Sequence, residues 1–518
     1  MISESPQKSW GEACRSFFHP KVVALLFLGF SAGLPILLIF SSLSLWLREA
    51  GVERSAVTFF SWAALGYSFK FVWAPLVDRI PLPFLTRTLG RRRAWLLLSQ
   101  FAVIVALLFM ASNNPADGLY WVAIGAVMLG FSSATQDIVI DAYRIEAASK
   151  DLQAMMSSAY IAGYRIGMLV AGAGALALAS WFTTADVGTY DYGAWASAYQ
   201  CMAGFMLLGV ATTLYIAEPE RTSGDRTSEY HTSDYLRFLL LFLLAAGVFI
   251  AGFIFLADPV DALKAALLET GLSDHIAGFL SGSSRLLGSV VVAGFAAWLL
   301  VKVHLAPRAM VRETYVAPFS DFFERFGKIA LYLLLLVGTY RIADIVMGTI
   351  SNVFYSDMGY SKEQIAAVTK SFGLAMTIAG GFLGGILSVR YGVMRILWLG
   401  ALLSALSNVL FAVLAGAEPS TLYLAMVIAA DNLSGGLASA AFIAFLSGLT
   451  NTAFTAMQYA IFSSLMTLFP KLLAGYSGTF VDALSYPVFF IGSAVLGLPV
   501  LWLVSYVGRR LKNTEHAV

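Results

Sequence analysis

The chain of 518 residues is 59% hydrophobic and only 12% charged, with 45 glycines and a mean hydropathy of +0.77. A soluble chain carries about 25% charge, so half that share leaves too little polar surface to cover two or three soluble domains. Collagen-like, disordered and disulfide-stapled classes are excluded too: the glycines have no triplet period, the two cysteines, Cys14 and Cys201, build no framework, and the net charge of +2 says little by itself.

A bilayer core about 30 Å thick requires roughly 20 apolar residues per helix. Fourteen such runs are predicted, near 21–47, 57–77, 94–112, 119–143, 153–181, 194–217, 236–257, 276–303, 328–355, 362–389, 393–415, 421–448, 452–474 and 485–508. The first is too long for the apolar stretch of a signal peptide and lacks a cleavage site, so it is expected to remain as a helix. A cytoplasmic N-terminus puts 23 of the 33 Lys and Arg residues in inside segments and 5 outside, which predicts both termini cytoplasmic and an even number of spans. The other 5 cations, Lys70, Arg165, Arg285, Arg341 and Lys370, fall within predicted helices.

Two polar stretches, Glu218–Asp234 and His304–Gly327, bracket the seventh and eighth spans. Setting that pair aside leaves six helices before and six after, which predicts three regions: 1–218, 219–327 and 328–518. Phe319, Phe322, Phe323 and Phe326, with Asp321, Glu324 and Arg325 between them, have the spacing of an amphipathic helix on the inner membrane surface. Segments 45–60 and 353–368 repeat one pattern, a helix end, a charged turn with Gly51 or Gly359, then a new apolar run. Two six-helix repeats are the plan of a transporter that binds its cargo near the midplane and rocks around it.

After the second span come Asp78 and Arg79, then Gly90, Arg91, Arg92 and Arg93. An Asp at a helix end with arginines on a short loop can form charge-assisted bonds to helix termini and neighbouring acids, latching one side; the plainer alternative is a positive-inside anchor. The corresponding stretch of the second repeat keeps Gly385 and Arg390 but has Ser388 near the acidic position, so no matching latch is expected there.

A charge at mid-bilayer costs about 2.5–3.5 kcal/mol, so such residues pair or line a wet cavity. Asp137 and Asp141 share one face of the fourth span, with Gln136 beside them, and Arg341 and Asp344 are spaced to pair on one helix. Lys70, Arg165, Lys370 and the Asp431–Asn432 pair lie in other spans. Two readings stand open: a salt-bridge network that fixes packing, or cations that receive an anionic cargo beside a carboxylate that carries a proton. Burial favours the protonated carboxyl and a nearby cation the ionised one, so an Asp that alternates between those settings can load and release a proton. Arg285 is expected to make an interhelical or snorkelling contact. No histidine sits where it takes the proton-carrying role easily.

Trp62, Tyr67, Trp73, Tyr143, Tyr160, Tyr164, Tyr340 and Tyr459 are candidates to stack on sugar faces, although most aromatics in such a chain serve as interfacial belt or packing. Gly29/Gly33, Gly163/Gly167 and Gly381/Gly385 suit close helix crossings. No phosphate-binding glycine loop and no Cys/His cluster is present, so neither a nucleotide, a metal nor another cofactor is expected.

Segments 29–35, 69–79, 90–93, 133–142, 163–170, 317–323 and 431–436 through Gln458 together resemble the AmpG-type muropeptide permeases of the major facilitator superfamily. The resemblance implies an all-α polytopic fold of 12 core helices in two six-helix halves, here with 2 extra helices between them for 14 in total. It implies import of GlcNAc-1,6-anhydro-MurNAc and its peptides from periplasm to cytoplasm, by proton symport across the bacterial inner membrane, for peptidoglycan recycling. Asp78, Arg79, Gly90, Arg91 and Arg92 match the superfamily's gating motif, with Ala74 where that motif has glycine and a longer insertion before Gly90. On this reading Asp137, Asp141, Asp344 and Asp431 are proton-coupling candidates. Lys70, Gln136, Tyr164, Arg165, Arg341, Lys370, Asn432 and Gln458 are substrate-binding candidates. The expected partners are the muropeptide, protons and the bilayer, without nucleic acid, and the chain is expected to be a monomer. Two alternatives remain: a related transporter of another anion such as acetyl-CoA, and a polytopic enzyme acting on lipid-linked sugars, for which the short loops supply no catalytic cluster.

Overall fold

Every regular element is a helix in the computed structural model, which describes residues 10–53, 60, 65–147, 149, 152–184, 189–220, 230–474 and 477–515. Among the described residues, twelve helices are long and apolar enough to cross a membrane. The two other expected spans are 57–77, of which 57–59 and 61–64 with Trp62 lie outside the described residues, and 452–474, present as a helix but not among the twelve. The 45–60 segment of the internal repeat likewise lies partly outside them.

The chain divides into two compact units, Met1–Thr222 with Phe326–Val518, and Ser223–Arg325. The first holds α1 (Pro20–Glu49), α2 (Leu65–Phe69, Lys70–Val72 and Ala74–Arg79), α3 (Arg91–Ala111), α4 (Leu119–Ala147), α5 (Gln153–Phe182) and α6 (Tyr192–Tyr215). The second holds α7 (Thr232–Phe255), α8 (Asp274–Lys302) and the short α9 (Ala317–Phe326), whose last residue re-enters the first unit. The first unit resumes with α10 (Ala330–Thr339 and Ile342–Asp357), α11 (Glu363–Tyr391), α12 (Val393–Ala415), α13 (Thr421–Leu449), α14 (Thr455–Ala474) and α15 (Tyr486–Val495 and Gly497–Glu515).

Interruptions in these helices matter for the site. Pro75 has no N–H and disfavours helical backbone before it, so α2 passes through a tight 3-10 turn at Lys70–Val72 before restarting at Ala74. α10 breaks at Arg341, which caps its second piece. α5 and α11 each contain a π turn, Val170–Gly174 and Ala366–Phe372.

Two of the expected glycine pairs face each other across one crossing. A Cβ at Gly29 or Gly33 on α1 would lie 2.3 Å from Tyr160 O or 2.0 Å from Tyr164 O on α5, and one at Gly163 or Gly167 would lie 1.9 Å from Leu26 O or 2.2 Å from Phe30 O. The third pair is corrected: a Cβ at Gly381 meets nothing within 4 Å, whereas those at Gly380 and Gly384 would lie 2.1 and 2.7 Å from Leu433 O and Leu437 O of α13. The crossing uses the neighbouring register, and Gly385 turns instead toward Ser158 of α5.

At the end of the first six helices opposite Arg92, aromatic packing closes the core. Trp46 stacks on Trp195 with ring centroids 6.0 Å apart and donates to Tyr190 Oη at 3.0 Å, while Trp195 donates to Glu49 Oε2 at 2.6 Å.

Within the unit Ser223–Arg325, Arg285 donates to Phe253 O at 2.7 Å and lies 4.1 Å over the Phe253 ring, the interhelical contact expected of it. α9 has the expected amphipathic pattern, with Pro318 and Phe322 buried and Phe319 and Phe323 exposed. An Arg325–Asp321 ion pair at 2.9 Å spans one turn of its polar side.

Candidate functional site

Two of these interruptions, the break in α10 and the π turn of α11, meet at one cavity of about 260 Å³. Arg165 enters from α5, Arg341 and Asp344 from the break in α10, Lys370 from the π turn of α11, and Asp431 with Asn432 from α13. Six of the residues singled out in the sequence therefore share one space. Arg341 pairs with Asp344 at 3.0 Å, as the spacing predicted, and also donates to Ser439 Oγ. Asp431 accepts from Ser407 Oγ at 3.0 Å, and Asn432 accepts from Thr377 Oγ1 at 2.7 Å. Arg165 has Met168 Sδ at 4.0 Å, and neither it nor Lys370 has an ion pair among the described residues. Two cations thus line the cavity without an ion pair among the described residues, beside the carboxylates of Asp344 and Asp431.

A second polar group lies on α4 and its neighbours. Asp141 Oδ2 is 3.6 Å from Lys70 Nζ, which the 3-10 turn of α2 presents, and Asp141 Oδ1 is 3.4 Å from Arg144 Nη2. Arg144 is fully buried and donates to Ser157 Oγ at 3.1 Å and to Ser447 Oγ at 2.6 Å, with its guanidinium 5.1 Å over the Tyr459 ring. Ser447 and Tyr459 belong to α13 and α14, so this arginine joins helices from opposite ends of the chain. Asp137 is buried with Oδ1 unpartnered, and Gln136 donates to Ser31 Oγ at 3.1 Å. A buried acceptor with no partner is costly, which sets Asp137 apart from the paired Asp141.

The Asp78–Arg92 motif makes a third group. Arg92 donates to Asp78 Oδ1 at 2.7 Å and to Glu146 Oε2 at 2.9 Å, and Arg91 donates to Asp78 O at 2.8 Å. Asp78 also accepts from the backbone N–H groups of Ala456 and Met457 at 3.3 and 3.1 Å, in the first turn of α14. A carboxylate there satisfies otherwise orphaned N–H groups and complements the helix dipole. Glu218 accepts from Arg92 N and Arg93 N at 2.8 and 3.0 Å, capping α3. Gly90 is required twice over, by its φ of +87° and because a Cβ would meet Glu218 Cδ at 2.3 Å. In the second repeat Ser388 is buried where the first has Asp78, and Arg390 stacks on Trp10 and Tyr391.

Other candidates fall elsewhere. Gln458 accepts from Asn451 N at 2.8 Å in the turn between α13 and α14, away from the cavity lining. Tyr164 is half-buried and packs on Tyr160 at 5.9 Å. Tyr67 bonds Ser133, Trp73 donates to Thr135 Oγ1 at 3.1 Å, and Tyr340 donates to Leu397 O at 2.9 Å, which makes them packing residues here; Tyr143 is buried. The sequence reading missed Arg144, Glu146 and Glu218, and the cavity residues Ser439, Tyr355 and Thr369. Arg144 was readable from its three-residue spacing to Asp141.

A polytopic helical bundle with charged groups facing an internal cavity defines a membrane transporter. The sequence model of the Major Facilitator Superfamily matches residues 25–320. The anhydromuropeptide permease of Escherichia coli K12 is 28% identical over 502 residues, covering 97% of this chain and 82% of that one. A Rickettsia conorii chain named as an AmpG transporter is 28% identical over 491 residues, covering 95% and 97%. Among solved structures, the E. coli fucose:proton symporter FucP superposes with a TM-score of 0.59 at 10% identity over 94% of this chain and 97% of that one. The proton:xylose symporter XylE gives 0.55 at 13% over 96% of each. The chain belongs to the Major Facilitator Superfamily and is a multi-pass membrane transporter rather than an enzyme.

Proposed function

We propose that this transporter imports anhydro-muropeptides, GlcNAc-1,6-anhydro-MurNAc and its peptides, across a bacterial inner membrane by proton symport. The observation that carries the reading is the pair Arg165 and Lys370, two cations in the cavity without ion pairs among the described residues, in a chain similar over nearly its whole length to an anhydromuropeptide permease. Peptide carboxylates are the natural counter-charge for them, by charge-assisted hydrogen bonds. At about 260 Å³ the cavity takes the anionic end of such a molecule. Full enclosure then needs the helices to part on loading, since sites for drug-sized ligands run about 300–1,000 Å³.

On this reading α1–α6 and α10–α15 are the two six-helix halves, α7 and α8 the inserted pair, and the termini cytoplasmic. The Asp78 contacts to α14 and the Arg144 contacts to Ser447 and Tyr459 then hold the cytoplasmic side shut. Asp431 and Asp137, carboxylates without an ion pair among the described residues, are the proton carriers; Asp344 and Asp141 are held by cations. The transporter acts as a monomer.

Purified protein in liposomes with an imposed pH gradient tests this directly. Anhydro-muropeptide should accumulate when the outside is acidic and stop on adding a protonophore, with free peptide and acetyl-CoA failing to compete. Uptake indifferent to the gradient removes the proton, and saturable uptake of acetyl-CoA in place of muropeptide replaces the cargo.

A further inference from the structure

The unit Ser223–Arg325 contains none of the three polar groups of the candidate site, and its two long helices present mostly exposed apolar side chains, among them Leu243, Ile250, Leu287, Val291 and Phe295. In a multi-pass membrane protein such faces meet lipid tails. The polar end of the pair has a distinct chemistry. Gly252 lies opposite Ser289 and Phe253 opposite Arg285, so α7 and α8 run antiparallel. From that contact Arg237 and Lys302 both lie about 25 Å along their helices, at the same end. Lys302 Nζ sits 5.1 Å over the Trp298 ring, and Arg308 Nη2 donates to the backbone carbonyl of Lys302 at 3.3 Å, which brings the Arg308 guanidinium to the end of α8. Arg312 follows Arg308 four residues on, at the spacing of neighbouring side chains on one face.

Arg237, Lys302, Arg308 and Arg312 are all exposed and have no ion pair among the described residues. Among the described residues, three acids near this end have other partners: Asp234 accepts from His231 N at 3.2 Å, Glu313 from Tyr230 Oη at 3.4 Å, and Asp321 is paired with Arg325. Glu324 is exposed on α9, a dozen residues beyond Arg312. Trp298, with 55% of its surface exposed, borders the cluster with an amphipathic ring suited to the headgroup boundary, and Phe319 and Phe323 are exposed on α9 further along the same unit.

We propose that Lys302, Arg308 and Arg312, with Arg237 beside them, form a binding site for the headgroup of an anionic phospholipid whose tails lie along α7 and α8. The phosphate meets a cluster of guanidinium and ammonium groups, and the acyl chains meet the exposed apolar faces. The occupant is bilayer lipid rather than free phosphate because the cations stand at the end of two lipid-facing helices.

The test uses the full chain in detergent, offered phosphatidylglycerol and phosphatidylcholine at equal concentration, with retained lipid counted by native mass spectrometry. Wild type should retain phosphatidylglycerol preferentially. A cation at an anionic surface is worth about a factor of five, so Arg308→Ala/Arg312→Ala should lose about twenty-five-fold of that preference. Arg308→Lys/Arg312→Lys should keep it, which separates loss of charge from misfolding. Arg509→Ala/Arg510→Ala, which removes exposed arginines at the end of α15, should also keep it. Equal retention of the two lipids by wild type, or an equal loss in the α15 variant, overturns the proposal. So does displacement of the lipid by inorganic phosphate at matched ionic strength.

Discussion

Arg144 on α4 donates to Ser447 Oγ on α13 at 2.6 Å while its other terminal nitrogen lies 3.4 Å from Asp141. One fully buried guanidinium therefore holds together helices 303 residues apart. Arg144→Ala leaves Asp141 with Lys70 alone, while Ser157 and Ser447 keep only their bonds to Gln153 O and Ile443 O, and breaking a buried pair from one side costs on the order of 3 kcal/mol. A lowered thermal unfolding midpoint in detergent is expected. Arg144→Lys should fall between the two, because an ammonium cannot serve Asp141, Ser157 and Ser447 in a planar fork.

Asp78→Asn retains the shape of the side chain but removes the charge that faces Arg92 and the first turn of α14. Roughly 1 kcal/mol of helix-terminus stabilisation converts to about a fivefold shift in the closed population. Labelling of a cysteine introduced at Ser158, which packs against Gly385, should accelerate by that factor. Unchanged labelling would show that the Asp78 contacts do not hold the helices together.

The glycine register can be tested by two adjacent substitutions. Gly380→Ala drives a methyl to 2.1 Å from Leu433 O, so α11 and α13 must separate at a cost of about 1–3 kcal/mol. Gly381→Ala meets nothing within 4 Å and should be neutral or slightly stabilising, since alanine favours the helix. Thermal stability of the two variants in detergent distinguishes them.

In the cavity, Arg165→Ala and Lys370→Ala should each raise KM for uptake about tenfold or more, the loss of one charge-assisted hydrogen bond to a substrate anion. Asp344→Asn acts differently: it strips Arg341 of its partner, and altered stability should accompany any change in uptake. Initial rates in liposomes, with stability measured in parallel, separate binding from folding.

What could be read without coordinates follows the range of the interaction. Arg341–Asp344 was legible because both residues sit within one turn, and helix geometry alone brings them together. The meeting of Arg165, Lys370 and Asp431 was not, since three helices distant in the chain must first be packed. Arg144, one of the 23 cations assigned to inside segments, was passed over because its position near a helix end suggested loop surroundings, whereas contacts from α5, α13 and α14 bury it completely. The Gly380/Gly384 crossing was missed by one residue, because the four glycines at 380, 381, 384 and 385 suit two registers and only the partner α13 selects one. Half of α2 could not be anticipated as broken: an apolar run reads as a continuous helix, and Pro75 acts on the residues before it.

The π turns of α5 and α11 add a residue to a single helical turn, each in a helix that carries a cavity cation. An added residue rotates everything beyond it by about 100° relative to a regular helix. Lys370 can therefore face the cavity while Gly380 and Gly384, further along the same helix, face α13. Charge placement and helix packing are thereby separated along one element. A single-residue deletion within Ala366–Phe372 would force a choice between them, turning away either the lysine or the glycines with no change in composition on either side.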